Sequence, residues 1–337
     1  MLIRAKAPLR LSFAGGGTDV PPFPEREGGC VLSMTINRYA WGTLRPRDDD
    51  QICLNSLDFG LSLTYSSRHQ PVYDGQLDLA KAVVKRLSPD DRQGFDLFLH
   101  SDAPPGSGLG SSSAMIVALV GLFKEYRRLP MTDYEVAEMA YAIERTDLGI
   151  QGGLQDQYAA AFGGFNFIEF LADRVVVNSL RVNPTILNEL EYNLLLCHTG
   201  KLRLSSNIIA DQVARYERSE QESLDALREL KRLTVEMKNV ILNGQFGKLG
   251  ELLDLEWQHK KRMSSRISTP ELDDLYDLAR SHGAVGGKIT GAGGGGYMLL
   301  YCEFDRKHEV RDAMREAGCE VDTVALEPNG LQTWRVA

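Results

Sequence analysis

Apolar and polar positions fall into two regimes along the chain. Over the first half, short apolar runs broken by turn residues predict strands at residues 3–13, 30–44, 52–54 and 95–100, and a hairpin over 165–182. Helices interrupt them at 77–87, at 115–123, and from the capping box Thr132-Asp133-Tyr134-Glu135 through Arg145. Residues 115–123 are apolar on nearly every face, which predicts a buried helix. A strand over 192–198 is followed by longer amphipathic helices. Ser219-x-x-Glu222 caps one that ends at Asn243-Gly244, residues 246–263 give another, and Thr269-Pro270-Glu271 opens a third that Gly283 stops. Residues 297–302 return to strand, a helix covers 305–317, and strands at 319–326 and 331–336 close the second unit. The change of regime near 185–200 predicts two units, 1–190 and 191–337.

Three glycine stretches punctuate this pattern. Pro104-Pro105-Gly106-Ser107-Gly108-Leu109-Gly110-Ser111-Ser112-Ser113 leads into the buried helix, and any of its serines could cap that helix. Its alternating glycines allow close approaches that a Cβ would block. Such a loop aims several N–H groups and a helix dipole at one spot, a geometry that binds phosphate. A Walker loop would need Gly-Lys-Ser/Thr here, and none is present. A tight turn with no ligand is the competing reading. The second stretch, Ala14-Gly15-Gly16-Gly17-Thr18-Asp19, would pass alone as a turn. The third holds Gly291-x-Gly293-x-x-Gly296, nominally a dinucleotide fingerprint, but a strand follows it where that motif needs a helix. Glu144 and Asp156, twelve residues apart, read blandly as a surface glutamate and a helix N-cap. The run Asp48-Asp49-Asp50 reads as a solvated loop, because consecutive side chains diverge.

Charge sharpens the phosphate question. With 38 basic and 46 acidic residues the net charge is −8, opposite in sign to the usual nucleic-acid binder. Bound phosphate must therefore meet locally gathered positive groups: amides, a few Arg or Lys, and metal. No apolar run reaches the roughly 18 residues of a membrane span, and Met1-Leu2-Ile3-Arg4 lacks the apolar core of a signal peptide. Five scattered cysteines without C-x-x-C spacing read as free thiols in a reducing cytoplasm. The expectation is a cytoplasmic protein with no nucleic-acid or membrane partner.

Together the stretches resemble the three motifs of the GHMP kinases (galactokinase, homoserine kinase, mevalonate kinase, phosphomevalonate kinase). Pro8, Arg10, Thr18 and Asp19 reproduce P-x-R followed by T-D, with the arginine nine residues before the aspartate. The loop at 104–114 matches P-x-x-x-G-L-G-S-S-A with one extra serine, and Lys288 opens a K-x-T-G-A-G-x-G-G turn. The resemblance spans essentially the whole chain. It implies an α+β fold: an N-terminal domain like ribosomal protein S5 domain 2 and a ferredoxin-like C-terminal domain, with the active site between them. It further implies that Pro105, Gly106, Ser107, Gly108, Leu109, Gly110, Ser111, Ser112 and Ser113 hold ATP. Ser112 and Glu144 would bind Mg²⁺, with Ser111 the neighbouring candidate. Asp156, with Arg10 beside it, would orient the reacting hydroxyl and accept its proton late. Gly16, Gly17, Thr18 and Asp19 would meet the sugar, and Gly291, Ala292 and Gly293 would support the phosphate loop.

Galactokinases carry Glu-His just before T-D, where this chain has Gly16-Gly17, leaving room for a different sugar. The run from Glu144 to Ala160 and the T-G-x-x-R-x-S-S-N-I-I run from Thr199 most resemble kinases of D-glycero-D-manno-heptose 7-phosphate. Those act on the anomeric C1 hydroxyl and give the 1,7-bisphosphate. Lys201 and Arg203 are candidates for the distal phosphate, with solvated loop residues as the other reading. The alternatives are a C1 kinase for fucose or an octose phosphate, and a non-catalytic sugar sensor of the same fold. The expected partners are a sugar phosphate and ATP, and the chain would be a monomer or homodimer.

Overall fold

The structure is a computed structural model that describes residues 1–88, 93–201 and 205–337. Strand β1 (Leu2–Ala14) and, past the short helix α1 (Phe23–Glu27), the long strand β2 (Gly29–Pro46) form an antiparallel pair. Strands β3 (Gln51–Ser56) and β4 (Leu61–Ser66) make a hairpin, and helix α2 (Asp78–Leu87) leads to β5 (Phe95–Ser101). Next come α3 (Ser111–Arg127), α4 (Asp133–Tyr141), a π-helical turn over Ala142–Asp147, and α5 (Gln155–Phe162). The hairpin β6 (Phe165–Phe170) and β7 (Val175–Ser179) then pairs with the start of β2.

Helix α6 (Pro184–Asn193) delivers the chain to β8 (Leu194–His198), and helices α7 (Ser205–Glu217), α8 (Gln221–Leu242), α9 (Phe246–Met263) and α10 (Pro270–Ser281) follow. Then come β9 (Ala284–Ile289), β10 (Tyr297–Cys302), α11 (Lys307–Glu316), β11 (Glu320–Asp322) and β12 (Gln332–Val336). The first sheet runs β12-β1-β2-β5-β3-β4, with β6 and β7 continuing from β2. The second runs β11-β8-β10-β9. Taken in chain order its strands occupy positions 4-1-3-2, with helices after the first and third, which is the ferredoxin-like arrangement.

Local signals set most elements. The capping box at Thr132 forms, and Thr269 caps α10 through the Leu272 N–H. Helix α3 is buried from Ile116 to Phe123, as its apolar sequence predicts, and lies directly on β2: a Cβ on Gly42 would sit 2.6 Å from Leu122.

Three expectations fail for physical reasons. Ser219 is not the cap of α8; it adopts a left-handed conformation (φ 56°), and its N–H bonds back to Tyr216 at the end of α7. The helix expected through Arg145 ends at Tyr141 and continues as the π-helical turn. The strand expected at 331–336 forms, but β12 pairs Gln332–Val336 with Lys6–Leu2 on the first sheet. It covers what would be an open sheet edge on β1. The first unit thus takes chain from both ends, where a clean division into 1–190 and 191–337 was expected.

A buried ion pair of the second unit lies at the seam with the first. Lys288 on β9 and Glu256 on α9 are both fully buried, 2.6 Å apart, and the Lys288 ammonium also donates to the Phe13 carbonyl of β1 at 3.4 Å. Removing one partner of such a pair leaves an uncompensated buried charge. Glu256→Gln is therefore expected to lose about 3–5 kcal/mol in urea denaturation. The double variant Glu256→Leu/Lys288→Met should recover much of that loss. A single variant as stable as the parent would show that the seam does not depend on this pair.

Candidate active site

The three glycine stretches meet at one place. The loop before α3 is held on one side by β1, through Arg10 N–H to the Leu109 carbonyl at 3.0 Å. On the other side the β9–β10 turn grips it, through Tyr297 N–H to the Ser107 carbonyl at 3.0 Å. The contact requires glycine at Gly108 (φ 79°), where a Cβ would lie 2.6 Å from the Thr290 carbonyl oxygen. The loop is a run of turns whose glycines at 106, 108 and 110 take positive φ (78°, 79° and 75°), and its residues alternate in direction. Gly106, Gly108 and Gly110 line a cleft of about 270 Å³, while Ser107 and Leu109 are buried behind it, and Pro105 is exposed outside it. None of the serines caps α3: Gly110 takes that position (φ 75°), and no side chain bonds to the helix start. The first-turn amides are thus left facing the cleft, where an anion can meet them.

One wall carries a buried carboxylate. The π-helical turn carries Glu144, 2% exposed, toward the first turn of α3. It accepts hydrogen bonds from Ser112 Oγ at 2.8 Å, Ser113 Oγ at 2.6 Å and Gln157 Nε2 at 2.6 Å. Ser111 instead turns its hydroxyl to the Pro104 carbonyl at 3.4 Å. Ser112 is thus the partly exposed cleft-lining serine that shares the carboxylate, and Ser113 is buried between Glu144 and Gln157. No group of three or more His, Cys, Asp or Glu able to cage a metal ion occurs among the described residues. One carboxylate beside one hydroxyl fits Mg²⁺, which keeps most of its waters and takes its other ligands from phosphate.

The same cleft is lined by Asp156, in the first turn of α5. It is not the N-cap, a position that Leu154 fills. Arg10, 4% exposed, donates to Asp156 Oδ1 from Nε at 2.7 Å and from Nη2 at 2.6 Å, and from Nη1 to the Gly108 carbonyl at 2.6 Å. The guanidinium fork thereby commits one carboxylate oxygen and leaves Oδ2 toward Gly110, whose Cβ would fall 3.4 Å from it.

Next to this pair lies the turn after β1. Asp19, 1% exposed, accepts from Gly17 N–H at 3.0 Å and from both the backbone N–H and Nε2 of Gln155 at 3.1 Å. Burial pushes its carboxyl above the usual range, and the nearby Asp156 charge adds to the rise against the pull of those donors. Gly16, Gly17 and Asp19 line the cleft. Thr18 faces inward instead, its hydroxyl fastening the turn to the Gly15 and Cys30 carbonyls.

Gly291 and Ala292 reach the cleft, while Gly293 (φ 102°) packs against the Ile267 backbone. Lys201 does not line the cleft; its ammonium pairs with Glu271 at 3.4 Å, and its carbonyl accepts from Gly296. Arg203 lies outside the described residues. Sequence reasoning passed over Gln155, Gln157 and Lys260, which line or brace the site. Lys260 had a legible signal: with Glu256 it places charge on the apolar face of α9, in step with Leu249, Leu253 and Trp257.

The chemistry such a cleft supports is phosphoryl transfer, in which an anion-binding helix start, a metal-compatible carboxylate and a fixed aspartate converge. The sequence matches the GHMP kinases N terminal domain over residues 78–164 and the GHMP kinases C terminal domain over 223–318. It is 38% identical to a D-glycero-alpha-D-manno-heptose 7-phosphate kinase of Campylobacter jejuni, covering 99% of both chains. A crystal structure of a D-glycero-D-manno-heptose 1-phosphate kinase from Bacteroides thetaiotaomicron superposes with a TM-score of 0.85, at 35% identity over 99% of both chains. Lactococcus lactis galactokinase, at 20% identity and TM-score 0.79 over 98% of this chain and 95% of its own, shares the fold. The chain belongs to the GHMP kinases and is an ATP-dependent phosphotransferase. Among the described residues no helix is long and apolar enough to cross a membrane.

Proposed function

We propose that this kinase transfers the γ-phosphoryl group of ATP to the anomeric C1 hydroxyl of D-glycero-D-manno-heptose 7-phosphate, giving the 1,7-bisphosphate. Whole-length similarity to the Campylobacter enzyme supports the substrate. The observation that carries the reaction is the Arg10–Asp156 pair, set against Gly110 at the start of α3.

Transfer through a loose transition state depends on alignment and charge neutralisation more than on a strong base. The amides of residues 106–113 would hold the triphosphate at the positive end of α3. Ser112 and Glu144 would hold Mg²⁺, which when bound neutralises charge on the phosphates. Asp156 Oδ2 would accept a hydrogen bond from the C1 hydroxyl and take its proton as the new O–P bond forms. Arg10 keeps that oxygen aimed by occupying the other one. Asp19, already holding three N–H groups, would shape the Gly16–Gly17 wall for the sugar and offer it a remaining lone pair. Gly291 and Ala292 would keep the loop seated.

Asp156→Asn should lower kcat about 10²-fold or more, the scale of a positioned acid–base group, with little change in sugar KM. Turnover near that of the parent in a folded variant would remove Asp156 from the chemical step.

Glu144→Gln and Ser112→Ala should each raise the Mg²⁺ concentration that gives half-maximal rate. Ser111→Ala should raise it much less, since its hydroxyl faces Pro104. Unchanged titrations in the first two variants would reject the metal assignment.

The substrate is tested by ADP release with heptose 7-phosphate, heptose 1-phosphate, free heptose, mannose and fucose. Heptose 7-phosphate should give by far the highest kcat/KM. Equal reaction of unphosphorylated sugars would favour a fucokinase-like enzyme, and sugar binding without turnover would favour a sensor.

A further inference from the structure

Around Gly16, on the cleft wall and just behind it, lie buried polar groups that the reaction above does not employ. Lys260, on α9, is 2% exposed and lines the cleft, and its ammonium donates to the Gly291 carbonyl. An ammonium has three N–H donors, so two remain. Gln155 is 7% exposed; its amide nitrogen serves Asp19, but its Oε1 has no protein partner. Ser12, 2% exposed, has a hydroxyl with no protein partner either. The Lys260 ammonium, the Ser12 hydroxyl and the nitrogen side of the Gln155 amide all lie close to Gly16. A Cβ built on Gly16 would lie 3.6 Å from Ser12 Oγ, 3.7 Å from Gln155 Nε2 and 3.8 Å from Lys260 Nζ.

Gly16 supplies space there, not backbone freedom. Gly15 and Gly17 take left-handed conformations (φ 84° and 108°), whereas Gly16 does not. Leaving a buried amide oxygen, a hydroxyl and an ammonium under-bonded costs free energy at each atom. Several such atoms around a side-chain-free position make a cradle suited to the oxygens of a polyhydroxylated ligand.

We propose that Lys260 is a substrate-contacting residue that sets acceptor specificity: its ammonium donates to a sugar oxygen seated over Gly16, beside Gln155. This rests on the sugar-kinase reading above. The second unit thereby contributes directly to recognition of the acceptor, through a helix that sequence motifs leave out. The cradle's charge is held in balance by its neighbours. Burial, with the like charges of Lys288 and Arg10, brings the Lys260 ammonium pKa down to about 7, while Glu256 and Asp19 oppose the fall. A sugar oxygen accepting from the ammonium favours its protonated form, so acceptor binding should weaken as pH rises above about 7.

The test uses the full chain with the best acceptor of the sugar panel, measuring KM for acceptor and for ATP across pH 6–9. Lys260→Met should raise acceptor KM tenfold or more, leave ATP KM within about twofold, and flatten the alkaline loss of acceptor affinity. Lys260→Gln, whose neutral amide can still donate to the Gly291 carbonyl, should also raise acceptor KM selectively and flatten its alkaline loss, and it decides the matter if Lys260→Met does not fold. Unchanged acceptor KM in the folded variants, or equal changes in both KM values, would overturn the role of Lys260 alone. A wild-type chain that phosphorylates no sugar would overturn the sugar-kinase reading, and this inference with it.

Discussion

Arg10 ties its own strand to two other parts of the chain at once. Its own N–H holds the Leu109 carbonyl, one guanidinium nitrogen holds the Gly108 carbonyl, and two others hold Asp156. The strand β1, the glycine loop and the helix α5 are therefore placed relative to one another by a single, nearly buried side chain. A lysine could not do this, because it offers a point charge where the planar fork offers several directed donors. The distance between the aspartate and the start of α3 follows from that fork, and with it the room in which a phosphoryl group can sit between nucleophile and leaving group.

Around Arg10 the protein buries unusually much charge for its interior. Arg10, Asp19 and Asp156 on one side and Lys260, Lys288 and Glu256 on the other line the seam between β1 and α9. Each charge taken from water carries a desolvation penalty that only close partners offset. The lowered lysine pKa values and the raised Asp19 pKa all have burial as their largest cause. A hydrophobic seam would bind the two units with less penalty, but it would present no donors or acceptors to a ligand. The charge set lines the seam, with Lys288 bonding across it to the Phe13 carbonyl, and at Lys260 and Asp19 it reaches the cleft wall.

Much of this was determined by the sequence alone, wherever the signal is local. Alternating glycines before an all-apolar helix dictate an anion-binding turn, because neighbouring residues set the backbone dihedrals. The order and spacing of the three motifs, with Glu144 and Asp156 between the second and third, carried the family and the two-unit fold. The capping box at Thr132 follows from the same kind of short-range pattern, whereas the ferredoxin-like sheet was implied by the family resemblance.

What only the tertiary structure decided depends on contacts between residues far apart in the chain. Strand β12 lies on the first sheet because β1 offers it an edge more than 300 residues upstream, which a five-residue pattern cannot announce. Ser112 rather than Ser111 meets Glu144 because the helix turn points one hydroxyl at the π-helical segment and the other at Pro104. Thr18 points inward and Lys201 pairs with Glu271, although both stand in motif-like runs. Lys260 reaches the cleft because packing presses the apolar face of α9 against β9 and the turn after β1. Periodicity tells which face of a helix is buried, but only the packed chain decides what that face is buried against.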